Sequence, residues 1–225
     1  MTSAGAMKNG HNLTPSEIDA LTALRHRLHQ RPELSGKERE TAEIIAYEIE
    51  KTVPQLLISG PGGHGIAAVY EGQAPGPTVM FRCELDGLPI AETGAVPYRS
   101  VRPGRGHLCG HDGHMAILTG LARLLGRARP DRGRAVLLFQ PAEEDGSGAA
   151  AVIADPRFEQ IAPDYAFAIH NLPGLPLGVA GLAEGPVNCA SRGLRICLRG
   201  RTAHAAEPDR GVSPAAALAR LMQQL

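Results

Sequence analysis

The run Cys109-Gly110-His111-Asp112-Gly113-His114, followed further along the chain by the adjacent carboxylates Glu143 and Glu144, holds the residue types that bind and use a divalent metal. A thiolate, imidazoles and a carboxylate together form a ligand set accepted by borderline ions such as zinc, manganese or cobalt. Two neighbouring glutamates can divide the labour, one binding metal and the other moving protons. Of the four cysteines, Cys83, Cys189 and Cys197 lie in apolar, strand-like runs and read as small core residues, whereas Cys109 has polar company. His114 falls on an emerging helix and reads as a structural or orienting residue. His26, His29, His64 and His107 read as surface or structural histidines. Gly60 to Gly65 lacks the lysine of a phosphate loop, which argues against nucleotide binding.

The elements that must carry these residues follow from capping and periodicity. Thr14, Pro15 and Glu17 spell a capped helix start, and Ile18, Leu21, Leu24 and Leu28 recur at helical spacing up to Pro32. Ser35 and Glu38 repeat that grammar before a helix with Thr41, Ile44, Ile45 and Ile49 inward. Gly65 to Tyr70 and Thr78 to Cys83 read as strands, and the turn residues between them predict a hairpin-like pair. His111 to Leu125 reads as a helix, Ala135 to Phe139 as a central strand, Ser147 to Ala154 as a short helix and Tyr165 to Ile169 as a buried strand. Helices alternating with apolar strands favour an α/β layered sheet. Glu84 and Asp86 follow one strand, Glu143 and Glu144 a second and His170 a third, so all are expected to meet at the carboxyl edge of the sheet.

A length of 225 residues allows one sizeable core, or one domain and part of another. Lys plus Arg and Asp plus Glu both number 23, which leaves no global field to gather nucleic acid or an acidic membrane surface. No stretch approaches the roughly 18 continuous apolar residues of a membrane span, and a cytoplasmic protein without structural disulfides is the expectation. Residues 1–12 read as a disordered leader and 13–185 as the main domain. Pro and Gly punctuation then places a boundary near 185, and 186–225 reads as the beginning of a second domain, with a strand from Leu194 to Leu198 and a helix opening at Ser213 and Pro214.

Six segments, in order, carry a resemblance to a known family. They are His29-Gln30-Arg31-Pro32-Glu33-Leu34-Ser35 with Glu38; Arg82-Cys83-Glu84-Leu85-Asp86-Gly87-Leu88-Pro89-Ile90; His107-Leu108-Cys109-Gly110-His111-Asp112-Gly113-His114; Phe139-Gln140-Pro141-Ala142-Glu143-Glu144; His170-Asn171-Leu172-Pro173-Gly174; and His204-Ala205-Ala206-Glu207-Pro208. Together they resemble the co-catalytic metallo-amidohydrolases that include hippurate hydrolase, N-acyl amino acid amidohydrolase and the plant auxin-conjugate hydrolases, relatives of aminoacylase. The resemblance implies a zinc-exopeptidase-like catalytic domain, with a mixed sheet and helices on both faces, followed by the start of an α+β lid or dimerisation domain. It also implies two divalent ions, manganese or zinc, held by Cys109, His111, Glu144 and His170, with Cys109 as the bridge.

By the same resemblance, Glu143 is the general base that takes a proton from the attacking water and passes it to the leaving amine. Asp86 is the carboxylate that sets metal and base properties, and His204 polarises the scissile carbonyl, in some members from across a dimer. The implied substrate is a small N-acyl amino acid, and the implied assembly a homodimer through the lid. Glu84 stands where the family usually carries Asp, and Cys83 where it carries Ala. The family also extends by roughly another half of chain that includes a final histidine ligand. Two other readings accompany this one: a non-catalytic homologue that keeps the fold and a partial metal site, and a cysteine hydrolase using Cys109 with a nearby histidine as base.

Overall fold

The computed structural model describes residues 12–182, 184–185 and 196–224, and the chain divides into two compact units, Met1–Pro173 and Gly174–Leu225. The first unit opens with α1 (Pro15–Gln30), whose capping box is complete: the Thr14 side chain accepts from Glu17 N, and the Glu17 carboxylate accepts from Thr14 N at 2.8 Å. Leu21, Leu24 and Leu28 are buried, whereas Ile18 is exposed, so the inward stripe starts one turn later than its spacing predicts. In α2 (Arg39–Glu50), Thr41, Ile45 and Ile49 are buried, but the expected capping by Ser35 does not form. Buried partners elsewhere claim both residues. Ser35 Oγ donates to Asp86 Oδ2 at 2.7 Å, and Glu38 Oε1 accepts from Gly36 N and from Ala142 N.

A five-stranded mixed sheet follows, made of β1 (Leu56–Ser59), β2 (Ile66–Glu71), β3 (Thr78–Glu84), β4 (Arg134–Gln140) and β5 (Tyr165–Ala168) in the order β1-β2-β4-β3-β5. The expected hairpin of β2 and β3 is not formed, because β4 lies between them, antiparallel to β2 and parallel to β3. An apolar strand buried on both faces needs a partner at each edge, and β2 and β3 supply one each. The turn-rich segment after β2 instead wraps the start of β4, with Gly72 N donating to Gly133 O at 2.7 Å and Gly133 N to Ala74 O at 2.8 Å. The expectation that β5 is buried also fails: its residues are all exposed, and it pairs only with β3, at one edge of the sheet of described residues. Phe167 of β5 stacks on Phe81 with ring centroids 5.7 Å apart.

Helices cover both faces, as the α/β reading requires. On one side α1, α2 and α3 (His111–Arg127) pack Leu28, Ile45, Met115 and Leu118 against Ile66, Ala68, Leu137 and Phe139. On the other, Val152 of α4 (Gly148–Ala154) and Ile161 meet Ala67, Val69, Val136 and Leu138. Alternate residues of β2 therefore enter two separate cores, and β4 fills both. Cys83 is a buried member of the first core and, as expected, a small apolar filler whose thiol burial pushes well above its ordinary pKa.

In the second unit, Arg201 and Val212 form one antiparallel bridge, and α5 (Ala215–Met222) begins after Ser213, whose Oγ accepts from Ala215 N at 3.3 Å. Residues 196–198 form no strand, and Cys197 is exposed rather than a core residue; Leu194 and Cys189 lie outside the described residues. Among the described residues, no helix is long and apolar enough to cross a membrane.

Candidate metal centre

Because β3, β4 and β5 run parallel, their carboxyl ends share one edge, and the polar residues that follow each strand come together there. Asp86 follows β3, Glu143 and Glu144 occupy the turn after β4, and His170 follows β5. The N-terminus of α3 adds Cys109 and His111. Cys109 Sγ lies 3.3 Å from His170 Nε2, and His111 Nε2 lies 3.7 Å from Glu144 Oε1 and 3.8 Å from Glu143 Oε2.

The tautomers follow from the partners. His111 Nδ1 donates to the Asp86 backbone oxygen at 2.7 Å, which leaves Nε2 with its lone pair aimed at the glutamates. His170 Nδ1 donates to Asn171 O at 2.8 Å, which likewise turns Nε2 toward Cys109. His111 Nε2 and Glu144 Oε1 are both buried and make no hydrogen bond. An orphaned acceptor pair inside a protein is costly, and a cation between the two atoms satisfies both.

The charges point the same way. Burial, reinforced by Glu144, pushes the Cys109 thiol up to about 12. Burial also holds Glu144 above the ordinary carboxylate range, with His111 opposing and Glu143 adding to the rise. His111 itself is raised, since Asp86 and Glu84 outweigh the burial that opposes its charge. Four carboxylates, Glu84, Asp86, Glu143 and Glu144, crowd around this one imidazole, and added positive charge relieves them. Asp86 behaves differently: burial would raise it, but the nearby His111 ring, with Nδ1 3.6 Å from Oδ1, and hydrogen bonds from Glu144 N and Ser35 Oγ to Oδ2 hold it down to about 2. It stays a carboxylate and acts as a fixed anchor, its Oδ2 accepting from Glu144 N at 3.0 Å.

Two sets of ligand atoms each lie within 4.8 Å of one another, Cys109 with His111 and His170, and His111 with Glu143 and Glu144. These residues fit a divalent metal by donor type, by proximity and by the orphaned atoms. Glu84, His111 and His114 make a third such set. There, however, His114 Nδ1 donates to Glu84 Oε2 at 2.8 Å and its Nε2 accepts from Asn171 N at 3.1 Å, while Glu84 pairs with Arg82. His114 thus braces Asn171, the neighbour of His170. His204 lies in the second unit, where its Nδ1 accepts from Ala206 N at 3.2 Å.

Several supports escaped the sequence. Glu38 is fully buried, and its bond to Ala142 N at 2.7 Å pins the turn that presents Glu143 and Glu144, at a residue with φ of 49°. Such strain at a non-glycine residue persists only where surrounding bonds enforce it. The spacing of Ser35 and Glu38 had suggested a helix cap, and nothing local marked either as a partner of Asp86 or Ala142.

Gly110 caps α3 with φ of 94°, and a Cβ there would come within 2.3 Å of Asn171 Oδ1. Gly110→Ala should therefore displace Asn171 and, with it, His170. The expected cost is about 1–3 kcal/mol of stability from strain and lost contacts, together with weaker metal uptake. Thermal unfolding and metal titration of the variant check both, and unchanged values would contradict the steric argument.

Comparison with known proteins places these residues in context. The family described as Peptidase family M20/M25/M40 matches residues 80–224. An N-acetyldiaminopimelate deacetylase of Enterococcus faecalis is 36% identical over 208 residues, 92% of this chain and 55% of the relative. An N-acetyl-L-cysteine deacetylase of Bacillus subtilis is 37% identical over 218 residues, 96% of this chain and 51% of the relative. Among solved structures, a Bacillus subtilis protein described as a dinuclear metal binding peptidase of the M20 family superposes with a TM-score of 0.71 at 35% identity, over 77% of this chain and 48% of its own. The chain spans about half the length of the curated relatives it matches.

Proposed function

Since this chain belongs to Peptidase family M20/M25/M40, we propose that it carries the metal centre of an amidohydrolase cleaving the amide bond of small N-acyl amino acids. The observation that carries the proposal is the buried pair His111 Nε2 and Glu144 Oε1, 3.7 Å apart and without hydrogen-bond partners, beside Glu143. The names of the deacetylase relatives support the substrate class.

In this reading Cys109, His111, Glu144 and His170 hold two divalent ions, manganese or zinc. When bound, such ions lower the pKa of water toward neutrality and polarise a carbonyl oxygen. The chain's own residues do the rest. Glu143, more exposed than Glu144 at 38% against 18%, reaches the open side of the site and moves the proton from water to the leaving amine. Asp86 orients His111 and the Glu144 turn through the bonds already given, and keeps its charge while doing so. His204 polarises the scissile carbonyl from a lid domain that begins near residue 186 and through which two copies of the protein pair.

Elemental analysis after dialysis against manganese or zinc, together with assays on N-acetyl and N-benzoyl amino acids, tests the proposal. A protein that holds no divalent ion overturns it. The cysteine-nucleophile alternative makes the opposite forecast. A thiol pushed up to about 12 is protonated and unreactive at neutral pH, so alkylation of the metal-free protein should modify Cys109 far more slowly than the exposed Cys197. Hydrolysis should be lost to chelators. Rapid alkylation at Cys109 with chelator-resistant activity would favour the cysteine mechanism instead.

A further inference from the structure

The segment 88–106 leaves the sheet directly after Asp86 and returns directly before His107 and Cys109, so both of its ends are rooted in the metal centre. Its ends are closed by the pair Leu88 N to Gly106 O at 2.9 Å and Gly106 N to Leu88 O at 3.1 Å. Much of the segment is exposed, including Ile90, Val96 and Val101. Inside it, Glu92 makes the main polar anchor. Its Oε2 accepts from Ser100 N at 2.8 Å and its Oε1 accepts from His29 Nε2 of α1 at 3.1 Å.

His29 does not stop there. Its Nδ1 donates to Asp112 Oδ2 at 2.9 Å, an oxygen that also accepts from Arg25 Nε at 3.0 Å. Asp112 is the residue after His111, in the first turn of α3, and it is almost wholly buried. The imidazole is thus clasped between a carboxylate on the surface segment and one on the helix turn that presents the metal-facing His111. Removing the imidazole takes the donor from Glu92 Oε1 and one of two donors from Asp112 Oδ2, a loss that costs more inside the protein than at its surface.

We infer that His29 is a positioning residue that couples the docking of segment 88–106 to the metal-binding start of α3, through Glu92 on one side and Asp112 on the other. The inference rests on the metal-centre reading and deepens it: the α3 turn that presents His111 is held by a clasp that includes none of the four ligands assigned above. Other ties hold the segment to the body of the unit independently of His29. Val101 N donates to Gln30 O at 2.9 Å, and Arg102 pairs with Glu40 at 2.8 Å. Loss of the clasp should therefore loosen the segment without unfolding the protein.

The test uses the full chain, cobalt(II) as the probe, and the variants His29→Asn and Glu92→Gln. His29→Asn is expected to weaken cobalt binding about ten- to hundredfold, the range found when a partner outside the coordination sphere is removed. It should also change the cobalt d–d absorption spectrum and speed amide exchange across residues 90–101. Glu92→Gln should speed the same exchange and shift cobalt affinity in the same direction by less, with an unfolding midpoint near that of wild type. If His29→Asn fails to fold, Glu92→Gln decides by these same measurements. Unchanged affinity, spectrum and exchange in folded variants of a cobalt-binding wild type overturn the clasp alone. A wild type that takes up no cobalt overturns the metal reading and the clasp with it.

Discussion

Replacing Glu143 by Gln in the metal-loaded, full-length protein is expected to lower kcat for N-acyl amino acid hydrolysis by about a hundred- to ten-thousandfold, the usual contribution of a positioned general base, while leaving metal content unchanged. The division of labour between the two glutamates follows from their surroundings. Glu144 has a buried oxygen without a partner, 3.7 Å from the free nitrogen of His111, and its backbone is tied to Asp86. Glu143 shares the turn but is the more exposed of the two, lying 3.8 Å from the same nitrogen. Glutamine occupies the same volume and keeps a polar end, so the turn pinned by Glu38 should not move. What is lost is the capacity to take up a proton. A drop in kcat with KM little changed is the signature of a group that acts only in the transition state. If the substitution instead stripped the metal, Glu143 would be a ligand; if it did neither, the base would lie elsewhere.

The parts of this site that were legible in the sequence are those encoded by short spacings. Cys109 and His111 stand two residues apart at a helix start, and Glu143 and Glu144 are adjacent after an apolar strand. The rule that polar residues after parallel strands converge brought in Asp86 and His170. The illegible parts depend on which elements become neighbours. Ser35 and Glu38 have the spacing of a helix cap, and a local reading assigns them there, yet buried acceptors and donors from β3 and the β4 turn outcompete the helix terminus for their side chains. His29 sits at the end of an amphipathic helix and looks structural until Asp112 and Glu92, from distant parts of the chain, close on its two nitrogens. The hairpin expected of β2 and β3 failed for a related reason. Turn residues specify a reversal but not which strand receives it, and the doubly buried β4 had the greater claim on both partners.

Metal binding itself should produce a stability pattern that a purely structural cluster would not. Burial raises Glu144 above the ordinary carboxylate range, so in the metal-free protein its charge opposes folding at all pH values above that raised pKa. Neutralising it in Glu144→Gln removes the penalty, and the metal-free variant should be at least as stable as wild type at neutral pH. The order reverses once the ion is present. Saturation at a thousand times the dissociation constant stabilises a protein by about 4 kcal/mol, which for a chain of this size corresponds to roughly 10 °C in Tm. Wild type should gain that increment, and Glu144→Gln and His111→Ala should gain little or none, because the first neutralises the anionic member of the orphaned pair and the second removes its nitrogen. His111→Ala is expected to be less stable than wild type even without metal, since it also deprives the buried Asp86 backbone oxygen of its donor. Differential scanning calorimetry with and without manganese or zinc reads all six states. Parallel increments in wild type and both variants would mean that any ion binds somewhere other than between His111 and Glu144, whereas the crossing of the Glu144→Gln and wild-type curves requires that it bind there.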